Sequence, residues 1–296
     1  MHARTPLPGA PLPARCWEGS NGLRIAADSW GDPADPLVIL QHGGGQTRHA
    51  WRGAGEALAR AGFHAVAFDA RGHGDSDWDP EIDYTSDAMV RDLVCLIEQL
   101  GDLRPVLVGA SMGGSTSLIA AGEGSVDASA LVLVDVAPRT EPDGAAHVRA
   151  FMYGGAAGFD SLEDVAASIR TYQPERPAPR DLKGLAKNVR QGNDGRYYWH
   201  WDPRIDFAQD DLVRRERLGA CASRLRIPTL LVRGGLSDVL SEEGAQDFLR
   251  LCPSASYVNV TGAGHMVAGD RNDHFTSALI AFLRSTFPHV QPHQRS

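Results

Sequence analysis

The chain has 296 residues, with 37 Asp and Glu against 29 Lys and Arg and a formal net charge of −8. This length suits one α/β core with an insertion, and 43% hydrophobic with 22% charged residues excludes a disordered or fibrous chain. The acidic balance, with no basic stripe, excludes coating of nucleic acid, and no stretch approaches the ~20 apolar residues that cross a bilayer.

Met1 to Arg15 is rich in Pro and Ala and lacks the apolar run of a secretory signal, so a cytoplasmic location is expected. Cys16, Cys95, Cys221 and Cys252 lie far apart with no C-x-x-C pair, which indicates neither a zinc site nor a disulfide framework. Arg15 to Trp30 reads as two short strands around Ser20-Asn21-Gly22, because Asn-Gly is a strong hairpin signal. From Leu37 onward the pattern becomes short, wholly apolar runs: Leu37–Leu40, Ala65–Phe68, Val106–Val108, Leu131–Val134 and Thr229–Val232. Strands apolar on both faces belong inside a parallel sheet covered by helices.

Between them lie helical patterns. In Thr85–Leu100 the residues Val90, Leu93, Val94 and Ile97 form one stripe of an amphipathic helix. Trp51–Ala61, Ser111–Ala121 and Glu242–Leu251 read as helices ended by Gly62, Gly122 and Pro253. Tyr257–Val260 is a further strand, and His274–Thr286 a closing helix. The alternation predicts an α/β fold with a doubly wound, mostly parallel sheet. It breaks between Pro138 and Cys221, where Gly, Pro and aromatics interleave with weak helical patterns at Leu162–Tyr172, Arg180–Val189 and Phe207–Leu218. The expected organisation is a core of 1–137 and 222–296 with an inserted, mainly helical cap at 138–221.

The sharpest chemical signal is Gly109-Ala-Ser111-Met-Gly113, a G-x-S-x-G pattern between a buried strand and a helix. A serine on so tight a turn needs small neighbours two positions away on either side, and both are glycine. Gln41-His42-Gly43-Gly44-Gly45 ends the Leu37–Leu40 strand, where ligands bind in open α/β sheets. The N–H groups of Gly44 and Met112 are the expected oxyanion donors; His42 and His73 are expected to be structural. A serine needs a base, itself oriented by an acid. Of the eleven histidines, His265 follows the Tyr257–Val260 strand through a short loop to the same sheet edge. Asp238, in Gly234-Gly-Leu-Ser-Asp238, is the expected acid, with Asp135 at the end of Leu131–Val134 as its rival.

With His42-Gly43-Gly44, Asp69-x-Arg71-Gly72-His73-Gly74-x-Ser76, Gly109-x-Ser111-x-Gly113, Gly234-x-x-x-Asp238 and Gly264-His265, the chain resembles the α/β-hydrolase superfamily from about Gly22 to Phe287. The resemblance is to its capped branch of esterases, lactonases, C–C hydrolases, cofactor-free haloperoxidases and epoxide hydrolases. It implies Ser111 as nucleophile, His265 as base, Asp238 as acid and Gly44 with Met112 as oxyanion donors. Parts of the chain look like members often labelled epoxide hydrolases, but those need an Asp nucleophile and position 111 is Ser, so that activity is rejected.

The expected reaction is cleavage of a small or medium carboxylic ester, thioester or lactone through an acyl-enzyme, needing no cofactor or metal. The motifs do not separate this from C–C cleavage of a vinylogous diketone by the same triad, or from ligand sensing with little turnover. The expected cap pocket draws on Tyr153 and Trp199-His200-Trp201, and Arg170, Arg176 and Arg180 are candidates for an acidic substrate. A monomer or homodimer acting on a small molecule is expected, with neither nucleic acid nor membrane as partner.

Overall fold

The computed structural model describes residues 7, 10–101, 104–173, 182–207, 211–267 and 272–292. In chain order its first half runs β1 (Arg15–Glu18), β2 (Arg24–Trp30), β3 (Leu37–Gln41), α1 (Arg52–Arg60), β4 (His64–Phe68), α2 (Ser86–Leu100), β5 (Val106–Ala110), α3 (Met112–Gly122) and β6 (Ala130–Val134). There follow α4 (Pro142–Tyr153), α5 (Leu162–Tyr172), β7 (Val189–Gln191), β8 (Tyr197–Trp199), α6 (Asp211–Arg224), β9 (Thr229–Gly234), α7 (Glu242–Leu251), β10 (Ser256–Val260) and α8 (Asn272–Thr286).

Eight strands form one sheet in the order β1-β2-β4-β3-β5-β6-β9-β10. β2 is antiparallel to both β1 and β4, and every later pair is parallel. Successive residues of a strand face opposite ways, so one run feeds two cores. Ile39 and Leu107 pack beneath α2, α3, α6 and α7 with Leu93, Leu118 and Phe248. Val38, Leu40, Val106 and Val108 pack beneath α1 and α8 with Leu58, Phe275 and Leu279. This double burial explains why the central strands carry no polar alternation. The Ser20–Gly22 segment is a short 3-10 turn with Asn21 at φ 62°, in the left-handed region that Asn tolerates.

The segment expected as a cap divides in two. α4, α5 and the β7–β8 hairpin surround a separate cluster, with Met152, Val165, Val189, Trp199 and Trp201, which Tyr84 of the core joins. By contrast α6, placed in the cap by its weak pattern, lies on the core, where Leu218, Cys221, Ala222 and Leu225 join the cluster beneath α3. The expected boundary at 221 is therefore too late. Arg180 and Asp181 lie outside the described residues; the rest of the Arg180–Val189 pattern is a 3-10 run, Leu182–Asn188, leading into β7. No helix among the described residues is long and apolar enough to cross a membrane.

Candidate active site

Ser111 sits between β5 and α3 at φ 47° and ψ −111°, backbone angles that side-chain-bearing residues rarely adopt. The turn is tight enough that a Cβ on Gly109 would lie 2.3 Å from Gly113 O, and one on Gly113 would lie 2.5 Å from Gln41 O. Both contacts are with backbone, so neither position accepts a larger residue without the turn opening. The Ser111 N–H donates to Val134 O at 3.1 Å, which ties the turn to β6.

His265 lies beyond β10 with a nearly buried side chain, 9% exposed. Its Nε2 is 3.3 Å from Ser111 Oγ, and its Nδ1 is 2.7 Å from Asp135 Oδ2. A buried carboxylate only accepts, so Nδ1 carries the proton and Nε2 is left to receive the serine hydroxyl. The 3.3 Å contact is long for a hydrogen bond, a common state of such pairs before substrate tightens them.

Asp135 directly follows β6, fully buried and at φ 51°. Its Oδ1 accepts from Gly234 N–H at 2.8 Å, and its Oδ2 accepts from Ser237 Oγ at 2.5 Å as well as from His265. Asp238, expected as the partner of His265, is elsewhere. It is half exposed and reaches His147 Nδ1 of α4 at 3.0 Å. The physical reason lies in the β9 loop, whose Gly234 N–H and Ser237 hydroxyl are turned onto Asp135, sending the next side chain outward. Asp135, the rival in the sequence reading, holds the place beside the imidazole.

On the other side of Ser111, His42 braces the glycine loop. Its Nε2 accepts from Ala70 N–H at 2.9 Å, so Nδ1 carries the proton and donates to Gly43 O at 2.8 Å. Burial lowers its pKa to about 4, with the backbone bond to Gly43 opposing and Arg48 adding to the fall. Gln46 Oε1 accepts from Gly43 N–H at 2.8 Å. The N–H groups of Gly44 and Met112 have no hydrogen-bond partner among the described residues. His73 is likewise buried, and its pKa is lowered to about 3, first by burial and then by the neighbouring His42.

A cavity of about 210 Å³ opens on these groups. Gly43, Gly44, Gln46, Ser111, Met112 and His265 line its floor; Phe151, Met152, Tyr172 and Phe207 contribute apolar walls. Of α4, Ala145, Val148, Arg149 and Met152 face inward at helical spacing.

The expected cap contacts are not in this lining. Trp199 and Trp201 stack on each other, with ring centroids 5.0 Å apart and planes 10° off parallel, inside the cluster of the inserted segment. His200 is fully buried; its Nδ1 accepts from Gly74 N–H at 3.0 Å, so its Nε2 donates to Gly45 O at 3.1 Å. Tyr153 is 45% exposed and bonds Asp206 Oδ1 at 2.9 Å. A run of adjacent aromatics packs first on itself, so this segment builds a cluster and not the cavity wall. Arg170 is exposed, and Arg176 and Arg180 lie outside the described residues, whereas Arg149 and Arg214 line the cavity. Among the described residues no group of three His, Cys, Asp or Glu side chains is arranged to hold a metal.

The fold of this chain recurs in known proteins. A family profile described as alpha/beta hydrolase fold matches residues 36–271. The chain belongs to this family. Among its curated relatives is the sn-1-specific diacylglycerol lipase of Mus musculus, 30% identical over 86% of this chain and 82% of the relative. An esterase of Mycobacterium tuberculosis is 27% identical over 88% of this chain and 85% of its own length. Among solved structures, that of E-2-(acetamidomethylene)succinate hydrolase superposes with a TM-score of 0.81 at 25% identity, covering 92% of this chain and 99% of the other. The present chain is a hydrolase of the α/β family.

Proposed function

We propose that this hydrolase cleaves carboxylic esters through an acyl-enzyme on Ser111, with His265 as general base and Asp135 as the acid that orients it. The observation that carries this reading is the imidazole between two oxygens, with Nε2 toward Ser111 Oγ and Nδ1 on Asp135 Oδ2. Ser111 Oγ attacks the carbonyl carbon while its proton passes to His265 Nε2. The negative charge that develops on the carbonyl oxygen is met by the N–H groups of Gly44 and Met112, the latter at the positive end of α3. Asp135 stabilises the imidazolium without itself taking a proton. His265 then hands its proton to the departing alkoxide, and a water, activated by the same base, releases the acid.

The apolar walls favour an uncharged, medium-sized acyl or alcohol group beside the reacting carbonyl. The relatives named as esterase and lipase support an ester over a C–C bond. The test is intact-mass labelling with a fluorophosphonate beside a panel of short-chain nitrophenyl esters. Wild type is expected to gain one adduct and to turn over esters; Ser111→Ala is expected to do neither. A folded wild type that stays unlabelled would falsify the reading.

A further inference from the structure

Asp135 holds a backbone conformation that a side-chain-bearing residue does not favour, φ 51°, so its contacts must keep it there. Two are made by backbone: its own N–H donates to Val232 O at 2.7 Å, and its Oδ1 accepts from Gly234 N–H at 2.8 Å. The third comes from Ser237, whose hydroxyl is unusual in having no freedom left. Its oxygen accepts from Val239 N–H and Leu240 N–H, each at 3.2 Å. Both of its lone pairs are thus engaged by the turn that starts α7, and a hydroxyl has only one proton to give. That proton lies on Asp135 Oδ2 at 2.5 Å, the same oxygen that receives His265 Nδ1–H at 2.7 Å.

We propose that Ser237 is a positioning residue of this site: a hydroxyl locked by two backbone N–H groups fixes the rotation of the Asp135 carboxylate, and through it the plane of the His265 ring. The inference rests on the reading of Asp135 as the acid. The last torsion of an aspartate is broad and roughly two-fold, so a carboxylate held through Oδ1 alone swings easily about its axis. With Oδ2 held as well, the oxygen that receives the imidazole proton stays in one place. The loop after β9 thereby takes part in the relay without supplying its carboxylate.

The experiment compares Ser237→Ala, Ser237→Cys and Ser237→Thr with Asp135→Asn. Steady-state ester kinetics are expressed per site counted by fluorophosphonate titration, so that misfolded protein is not counted. Cysteine keeps the shape and is a weak donor, while threonine keeps the hydroxyl. Loss of a hydrogen bond to a charged group predicts a fall in kcat of about tenfold for the alanine variant, with KM within about twofold of wild type. The cysteine variant should fall in the same direction, and the threonine variant should stay close to wild type. The far-downfield proton resonance of His265 Nδ1–H should move in the alanine and cysteine proteins only. Should the alanine protein not fold, the cysteine protein decides by the same readouts. Wild-type kcat per site in the alanine or cysteine variants, with Asp135→Asn inactive, overturns the proposal while leaving Asp135 its role. Equal impairment of the threonine protein also overturns it, since shape rather than the hydroxyl would then matter. Full activity of Asp135→Asn removes the acid assignment and the proposal together.

Discussion

Two loops leave the same edge of the sheet side by side, one after β6 and one after β9, on strands paired from Leu131–Thr229 to Val134–Val232. Each carries an aspartate. Asp135 is fully buried, strained at φ 51° and matched by three donors, whereas Asp238 is half exposed and, among the described residues, bonds the side chain of His147. The difference teaches that reaching the right edge does not decide which carboxylate meets the imidazole of His265. What decides is the direction in which the loop turns its donors, one a backbone N–H and one a side-chain hydroxyl. Here Gly234 and Ser237 face inward, so their loop supports a neighbour's carboxylate and presents its own to α4.

The largest expected effect comes from removing the buried member of this pair. Asp135→Asn keeps the size but lets the imidazole settle in the wrong tautomer, and kcat for ester cleavage should fall by roughly 10³ to 10⁴. If Asp238→Asn produced that loss instead, the comparison would be inverted.

A second measurement sharpens the contrast between buried and half-exposed polar groups. His42, His73 and His200 are buried and held neutral: His42 has its pKa lowered to about 4 and His73 to about 3, and burial together with His73 pushes His200 well below the ordinary value of 6.5. A base whose pKa is depressed on folding takes up its proton first in the unfolded chain. Stability from these groups is therefore intact above pH 6.5 and lost as pH falls toward about 4, by about 1.4 kcal/mol per pH unit for each histidine. Denaturant melts across this range should show the slope, and His200→Gln should flatten it by about one proton.

The smallest effect is expected from the outer pair. His147 and Asp238 are 45% and 52% exposed, and exposed polar pairs of this kind contribute about 0–1 kcal/mol. Asp238→Asn should leave kcat within about twofold and the midpoint of urea unfolding nearly unchanged. A loss of activity above tenfold would show that this pair shapes the cavity through Tyr172, whose ring lies 5.0 Å from that of His147.

The parts of this arrangement visible from the chain alone were those set by local chemistry. Leu37–Leu40 and Val106–Val108 read as central strands because every residue is apolar, and both faces are indeed buried. Ser111 stood out because glycines flank it where any side chain would strike backbone. His265 followed from its place after the last strand. The choice between Asp135 and Asp238 depended on φ at one residue and the aim of two donors in a different loop, and spacing carries neither. α4 was missed because its inward stripe, Ala145, Val148, Arg149 and Met152, mixes one small and one charged residue with two apolar ones. α6 was misplaced because its sequence is rich in charge on the face turned to water, so that Leu218, Cys221 and Ala222 made too faint a stripe to reveal the core beneath it.

His200 spends both ring nitrogens on main-chain groups of two separate core loops, Gly45 and Gly74. The β7–β8 segment is therefore not an exchangeable module. A chimera carrying a relative's insertion would strip the part-buried Gly45 carbonyl and the buried Gly74 amide of these bonds unless the graft restored a donor and an acceptor at this spot. Retargeting this hydrolase to new substrates is thus better begun at the α4 wall than by transplanting the segment whole.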